Sequence, residues 1–363
     1  MFDKRLLKNL DYMIITVVVL LTTISFFVIA SASPENPYYF VKRQLVWVVL
    51  GLALFVLTLS IDYHDLAQYT KHLYILNLIL LGAVFLFGRE AGGAQRWLQL
   101  GPVELQPSEL AKLIIIVTLA DLLSKRASSL HTIRELVPVF GHVGLPMVLI
   151  MKQPDLGTSM VFIGLLMGML YVAGARWQHL IGMCGLGGAV APFMFYFMED
   201  YQRKRILAVF NPYIDPAGSG YHVIQSMIAI GSGRAWGKGL FGGTQSRLGF
   251  LPEQHTDFIF SVIGEELGFI RAAGILLLYF ILIYRGIQVA LKARDDFGAL
   301  LATGVVIMFT FHILVNVGMT IGIMPVTGIP LPFMSYGGSS YLTNMMALGL
   351  LLNVHMRRQK ILF

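Results

Sequence analysis

Three stretches of this chain carry no charged side chain: Tyr12 to Pro34, Gln44 to Ile61 and Phe297 to Met356. A bilayer's hydrocarbon core, about 30 Å thick, takes roughly 20 apolar residues to cross as a helix, and each stretch is long enough. In lipid the backbone can bond only to itself, which leaves helices or a closed barrel. Barrel strands alternate apolar and polar residues, and these runs do not. The expected fold is therefore an all-α polytopic integral membrane protein. Composition agrees, with 56% hydrophobic and 13% charged residues against about 25% charged in soluble domains.

Ten transmembrane helices are expected, with cores near 12–32, 44–61, 72–88, 108–124, 134–151, 157–174, 177–198, 269–285, 299–323 and 338–356. Lys4, Arg5 and Lys8 before the first run, and the small residues Ala30 to Ser33 after it, imitate a signal peptide. The run exceeds the usual 7–15-residue signal core, so a retained helix is expected. With the N-terminus inside, fourteen Lys and Arg fall at inner helix ends, including Lys360, and seven at outer ends, the long loop uncounted. That bias predicts both termini in the cytoplasm, in the cytoplasmic membrane. Residues 1–363 read as a single membrane domain, in which about 199–256 form a large extracytoplasmic loop. Its spread of aromatics, from Tyr201 to Phe250, argues that it is ordered. The net charge of +7 collects at helix ends, with no basic face interleaved with aromatics, which argues against nucleic acid as a partner. Cys184 is the only cysteine and lies in an apolar run, where packing is the expected role.

Ionisable groups near membrane depth are costly and mark either a site or an interface. Glu109 and Lys112 lie three apart at a helix start after Gln106-Pro107-Ser108, where Ser108 is a candidate cap. They read equally as an interfacial pair reaching water. Asp155, in Gln153-Pro154-Asp155, is either a helix cap or a functional acid. Pro325, Pro330 and Pro332 predict broken backbone inside a charge-free stretch, which is tolerated where protein surrounds it. Glu253, His255 and Asp257 fall within five residues before an apolar helix. Positions two apart do not share a helix face, so a metal site would need a turn and further ligands. Asp257 caps that helix or serves as a functional acid beneath the loop.

Taken in order, these segments resemble the shape, elongation, division and sporulation (SEDS) family, its RodA-like elongation branch in particular. The resemblance rests on Gly93 to Leu98, Gln106 to Lys112, Gln153 to Thr158 and Asp200-Tyr201-Gln202-Arg203. It continues through Gly220-Tyr221-His222, Ala229 to Gly233, Leu251 to Phe260, Gly264 to Gly268, Pro330-Leu331-Pro332 and Ser335 to Gly338. Arg271 departs from the family pattern, which has a small or apolar residue there. The resemblance implies a peptidoglycan glycosyltransferase that polymerises lipid II into β-1,4-linked glycan strands at the outer membrane face, for cell elongation and rod shape. It implies a class B penicillin-binding protein and other elongation-complex proteins as partners, beside membrane lipids. It also implies Asp257 as the essential acid, Glu109 and Lys112 as an essential pair, and Asp155 as a further important acid.

One inversion at the anomeric carbon needs a base for the acceptor hydroxyl, and positive charge as the diphosphate departs. Arg96, Arg203, Lys112, Lys204, Arg205 and Lys238 are candidate cations, with Lys112 and Arg203 favoured by the motif match. No cofactor is implied with certainty, and a divalent cation is the alternative to a side chain. A lipid II transporter would also show charges near membrane depth and broken helices. The polar motifs gather on one side, however, with no matching set at the cytoplasmic mouth. A non-catalytic scaffold would not require Asp257, Glu109 and Lys112 together.

Overall fold

The computed structural model describes residues 8–91, 94–101, 103–126, 132–215, 218–251 and 253–358. Lys4, Arg5, Gly93 and Lys360, named above, lie outside them, as does Pro252 of the Leu251 to Phe260 motif. The chain begins with α1 (Tyr12–Ser31), α2 (Pro37–Ser60), α3 (Tyr63–Gln68) and α4 (Thr70–Phe87). Strands β1 (Arg89–Ala91), β2 (Ala94–Leu100) and β3 (Val103–Leu105) follow. Then come α5 (Pro107–Ser124), α6 (Ile133–Lys152), α7 (Leu156–Val172) and α8 (Trp177–Phe197). The long loop holds α9 (Asp200–Phe210), a 3-10 turn at Pro212–Ile214, α10 (Ser219–Gly233) and α11 (Thr244–Arg247). The last three helices are α12 (Ile259–Leu291), α13 (Asp296–Thr320) and α14 (Gly338–Met356).

Each expected helix core falls on a helix. Among the described residues seven helices, α1, α2, α4, α6, α8, α12 and α13, are long and apolar enough to cross a membrane, and α7 is apolar but shorter. α5 carries Glu109, Lys112 and Asp121, and α14 carries Ser339, Thr343, Asn344 and Asn353, all buried. Their polar groups face protein rather than lipid. α13 packs on α5, α7, α12 and α14 and forms the centre of the bundle. α8 is the opposite case, with no residue of its most apolar stretch buried.

Among the described residues the fold departs from all-α at one place. β1, β2 and β3 form an antiparallel meander, with Arg89 opposite Trp97 and Leu98 opposite Leu105. It carries the Gln95-Arg96-Trp97-Leu98 motif on β2 rather than on a helix.

Two irregular segments shape the rest. Gly268 has φ 74° and ψ 177°, which breaks α12 after Leu267. The break frees backbone groups that need partners, and the loop supplies them. Lys238 and Gly239 N–H donate to the Glu265 and Glu266 carbonyls at 3.1 and 2.9 Å. Phe269 and Ile270 N–H donate to the Arg234 and Ala235 carbonyls at 2.8 and 3.1 Å. A Cβ on Gly268 would sit 2.2 Å from the Gly237 nitrogen, so this contact is backbone against backbone. The second segment, 321–337, is non-helical as its prolines require. Val326, Ile329, Leu331, Phe333 and Met334 bury it in protein.

Candidate active site beneath the long loop

The Asp257 turn is built by its own backbone and held by elements that follow α12. The N–H groups of Thr256, Asp257 and Phe258 all point to the Glu253 carbonyl, at 3.1–3.3 Å. Glu253 adopts φ 45°, in the left-handed region. Tyr336 N–H donates to the His255 carbonyl at 2.9 Å and Ser335 Oγ to the Thr256 carbonyl at 2.6 Å. From α13, Asn316 Nδ2 donates to the Asp257 carbonyl at 2.9 Å and to Ile329 O at 2.8 Å. The turn is thus fixed to the proline-rich segment and to α13.

Asp257 does not cap α12. The N-cap is Phe258, without a side-chain bond, and among the described residues the Asp257 carboxylate accepts no hydrogen bond. Its side chain is partly buried. Burial, reinforced by the Glu253 carboxylate, pushes it up to about 7, against the pull of the Arg205 and Arg96 guanidiniums. This is an acid held at the pH where proton transfer is most useful.

Asp155 is the reverse. It is 4% exposed and caps α7 by accepting from Thr158 N–H at 3.0 Å. Its other oxygen accepts from Thr158 Oγ1, Gln106 Nε2 and Ser108 Oγ at 2.9, 3.2 and 3.1 Å. Ser108 therefore does not cap α5, whose N-cap is Gln106. Asp155 joins the starts of α5 and α7, and both of its oxygens are committed to donors.

The cations sort likewise. Arg96 donates to the carbonyls of Gln153 and Pro154, pinning the turn before Asp155. Arg203 donates to the Phe195 and Tyr196 carbonyls at the end of α8, with Asp200 3.5 Å away. Lys238 lies 2.7 Å from Glu265, whose buried carboxylate also accepts from Thr244, Gln245 and Ser246 N–H. Arg205, two residues past Arg203 on α9, is the guanidinium that acts most strongly on Asp257. Its sequence setting, between Lys204 and Ile206, gave no reason to prefer it. Met151, Leu156, Phe193, Phe197, Met198 and Gln202 line an apolar recess of about 210 Å³. Leu156 follows Asp155, and Gln202 lies one turn before Arg205.

Glu109 and Lys112 form an ion pair at 2.7 Å, 4% and 1% exposed. The pair is buried, not interfacial. Lys112 Nζ also lies 3.0 Å from His312 Nε2 on α13, a contact the sequence reading missed. His255 packs between Phe40 and Tyr336 rings, at 4.4 and 5.6 Å, and burial lowers its pKa. Glu253, His255 and Asp257 do not converge, and among the described residues no three His, Cys, Asp or Glu could hold a metal.

Apolar spanning helices around a buried ion pair, with an uncapped acid at one end, define an integral membrane protein with a polar site at the edge of its helical core. The chain belongs to the FtsW/RodA/SpoVE family of cell cycle proteins, which it matches over residues 9–360. It is 40% identical over 356 residues to the peptidoglycan glycosyltransferase MrdB of Escherichia coli, covering 97% of this chain and 95% of that one. It is 39% identical over 356 residues to stage V sporulation protein E of Bacillus subtilis, covering 95% and 96%. Among solved structures it resembles a chain of a peptidoglycan synthase complex described as coordinating polymerization and crosslinking. That match has a TM-score of 0.84 at 35% identity and covers 96% and 98% of the two chains. The rod shape determining protein RodA of Thermus thermophilus matches with a TM-score of 0.74 at 30% identity, covering 97% and 98%.

Proposed function

We propose that this chain is a peptidoglycan glycosyltransferase that polymerises lipid II, working beside a class B penicillin-binding protein that crosslinks the product. Ten helices span the cytoplasmic membrane with both termini inside, and residues 199–256 form the outer part of a single domain. The observation that carries the reading is the Asp257 carboxyl: uncapped, partly buried, raised to about 7 and within the electrostatic pull of Arg205. A base for the acceptor hydroxyl needs those properties. The polyprenyl tail lies along the apolar recess, and Arg205 balances charge as the diphosphate leaves. Glu109 and Lys112 hold the helices around the site, while Asp155, Arg96 and Arg203 fix the turns that frame it. Every group in this scheme is a side chain of the chain itself.

The test is polymerisation of labelled lipid II by the purified protein, with and without the penicillin-binding protein. Asp257→Asn keeps the shape and removes the base, so the rate should fall by at least about 10²-fold. A near wild-type rate for Asp257→Asn would remove Asp257 from the chemistry.

A further inference from the structure

The Lys112 ammonium has three donors and no acceptor. One hydrogen goes to Glu109 Oε1 at 2.7 Å and another meets His312 Nε2 at 3.0 Å, so that nitrogen must accept. The imidazole is therefore neutral, with its proton on Nδ1, because a second cation at this distance would repel the first. His312 is 0% exposed and is one of only two histidines in the charge-free stretch from Phe297 to Met356. Four residues on, along the same face of α13, Asn316 holds the Asp257 carbonyl and Ile329 O. Four further, the Thr320 carbonyl accepts from Ser226 Oγ of α10 at 2.6 Å. One ridge of α13 therefore touches the ion pair, the Asp257 turn and the long loop in succession. Gly304 brings α13 close to α5, where an added Cβ would lie 2.6 Å from Ile116 Cγ2.

We infer that His312 is a positioning residue for glycosyl transfer: it accepts from Lys112 and so couples the Glu109–Lys112 pair to the helix that holds the Asp257 turn. The inference rests on the proposed function for its effect on rate, but the contact can be tested without activity. Gln at 312 can place an amide oxygen near the Nε2 position and accept from Lys112, whereas Leu fills similar volume and accepts nothing.

The full-length protein carrying His312→Gln or His312→Leu would be assayed on labelled lipid II. His312→Leu is expected to lower kcat at least ~10-fold with KM within about twofold, as a displaced catalytic group would. His312→Gln should stay within about threefold of wild type. In parallel, detergent melting curves of His312→Leu, Lys112→Met and the double variant should be non-additive, the second change adding little to the first. Equal activity for Gln and Leu variants, or additive melting shifts, would overturn the inference. So would a destabilised His312→Leu variant with wild-type kcat. If wild type itself fails to polymerise lipid II, the functional reading falls, and the melting cycle still decides whether His312 and Lys112 are coupled.

Discussion

Two aspartates at the starts of helices have opposite fates. Asp155 accepts from four donors and holds two helix starts together, while Asp257 is left with its oxygens uncommitted. Capping was one of two readings for each in the sequence, and only the structure separates them, because donors such as Gln106 and Ser108 come from another helix. Asp155→Ala should lower stability on the order of 2–3 kcal/mol, from a lost cap and stranded buried donors, read as a fall in Tm in detergent. Asp257 should behave otherwise. Its folded-state pKa of about 7 stands above the ordinary 3.8, so the fold favours the protonated acid. That contribution is complete below pH 3.8 and is lost as pH rises to about 7. Asp257→Asn should therefore melt higher than wild type, by a margin that grows from pH 4 to 7 and then levels. The polymerisation rate of wild type should rise through pH 7 as the base ionises, a limb absent from the residual rate of Asp257→Asn.

At the scale of elements, helices written in charge-free runs were legible and the meander was not. β1 and β3 are three residues each, and Arg89, Gln95 and Arg96 leave no alternation to read. A helix directly after Asp257 was legible and begins at Ile259, but its membrane-spanning core was placed only from 269, because Glu265 and Glu266 interrupt the apolar pattern. Their partners lie in the loop and in α1, where Ser31 Oγ donates to Glu266. His312 was invisible for a related reason: a neutral side chain does not break a charge-free run, and Lys112 is 200 residues away. The ion pair itself was visible as an i,i+3 spacing, though not its burial. Exchanging the charges, Glu109→Lys with Lys112→Glu, should recover more polymerisation than either single change, since each single change leaves two like charges buried together. A swap no better than the singles would assign one of them to the chemistry. At the α12 break, Gly237→Val should loosen the loop, because a Cβ there would come 2.2 Å from the Glu266 carbonyl oxygen. Proteolysis within 236–250 should accelerate, while the spanning helices stay protected.

For the whole molecule, the helix order and the asymmetry of Lys and Arg support the proposed orientation. Cys184 is exposed and must first be replaced. A cysteine at Asn211 should then react with an impermeant reagent in intact spheroplasts, and one at Lys292, also exposed, should react only after lysis. The opposite pattern would invert the protein.

Glu265 is 0% exposed, and four of its partners, Lys238, Thr244, Gln245 and Ser246, precede it by 19 to 27 residues. Chains emerge from the ribosome N-terminus first. The groups that neutralise this carboxylate are therefore already made, and across the membrane in the proposed orientation, when α12 reaches the translocon. Glu109 and Lys112, three residues apart, neutralise each other within one turn as α5 is made, whereas His312 joins them only when α13 arrives. The order of synthesis thus spares Glu265, Glu109 and Lys112 a long wait in lipid without a partner.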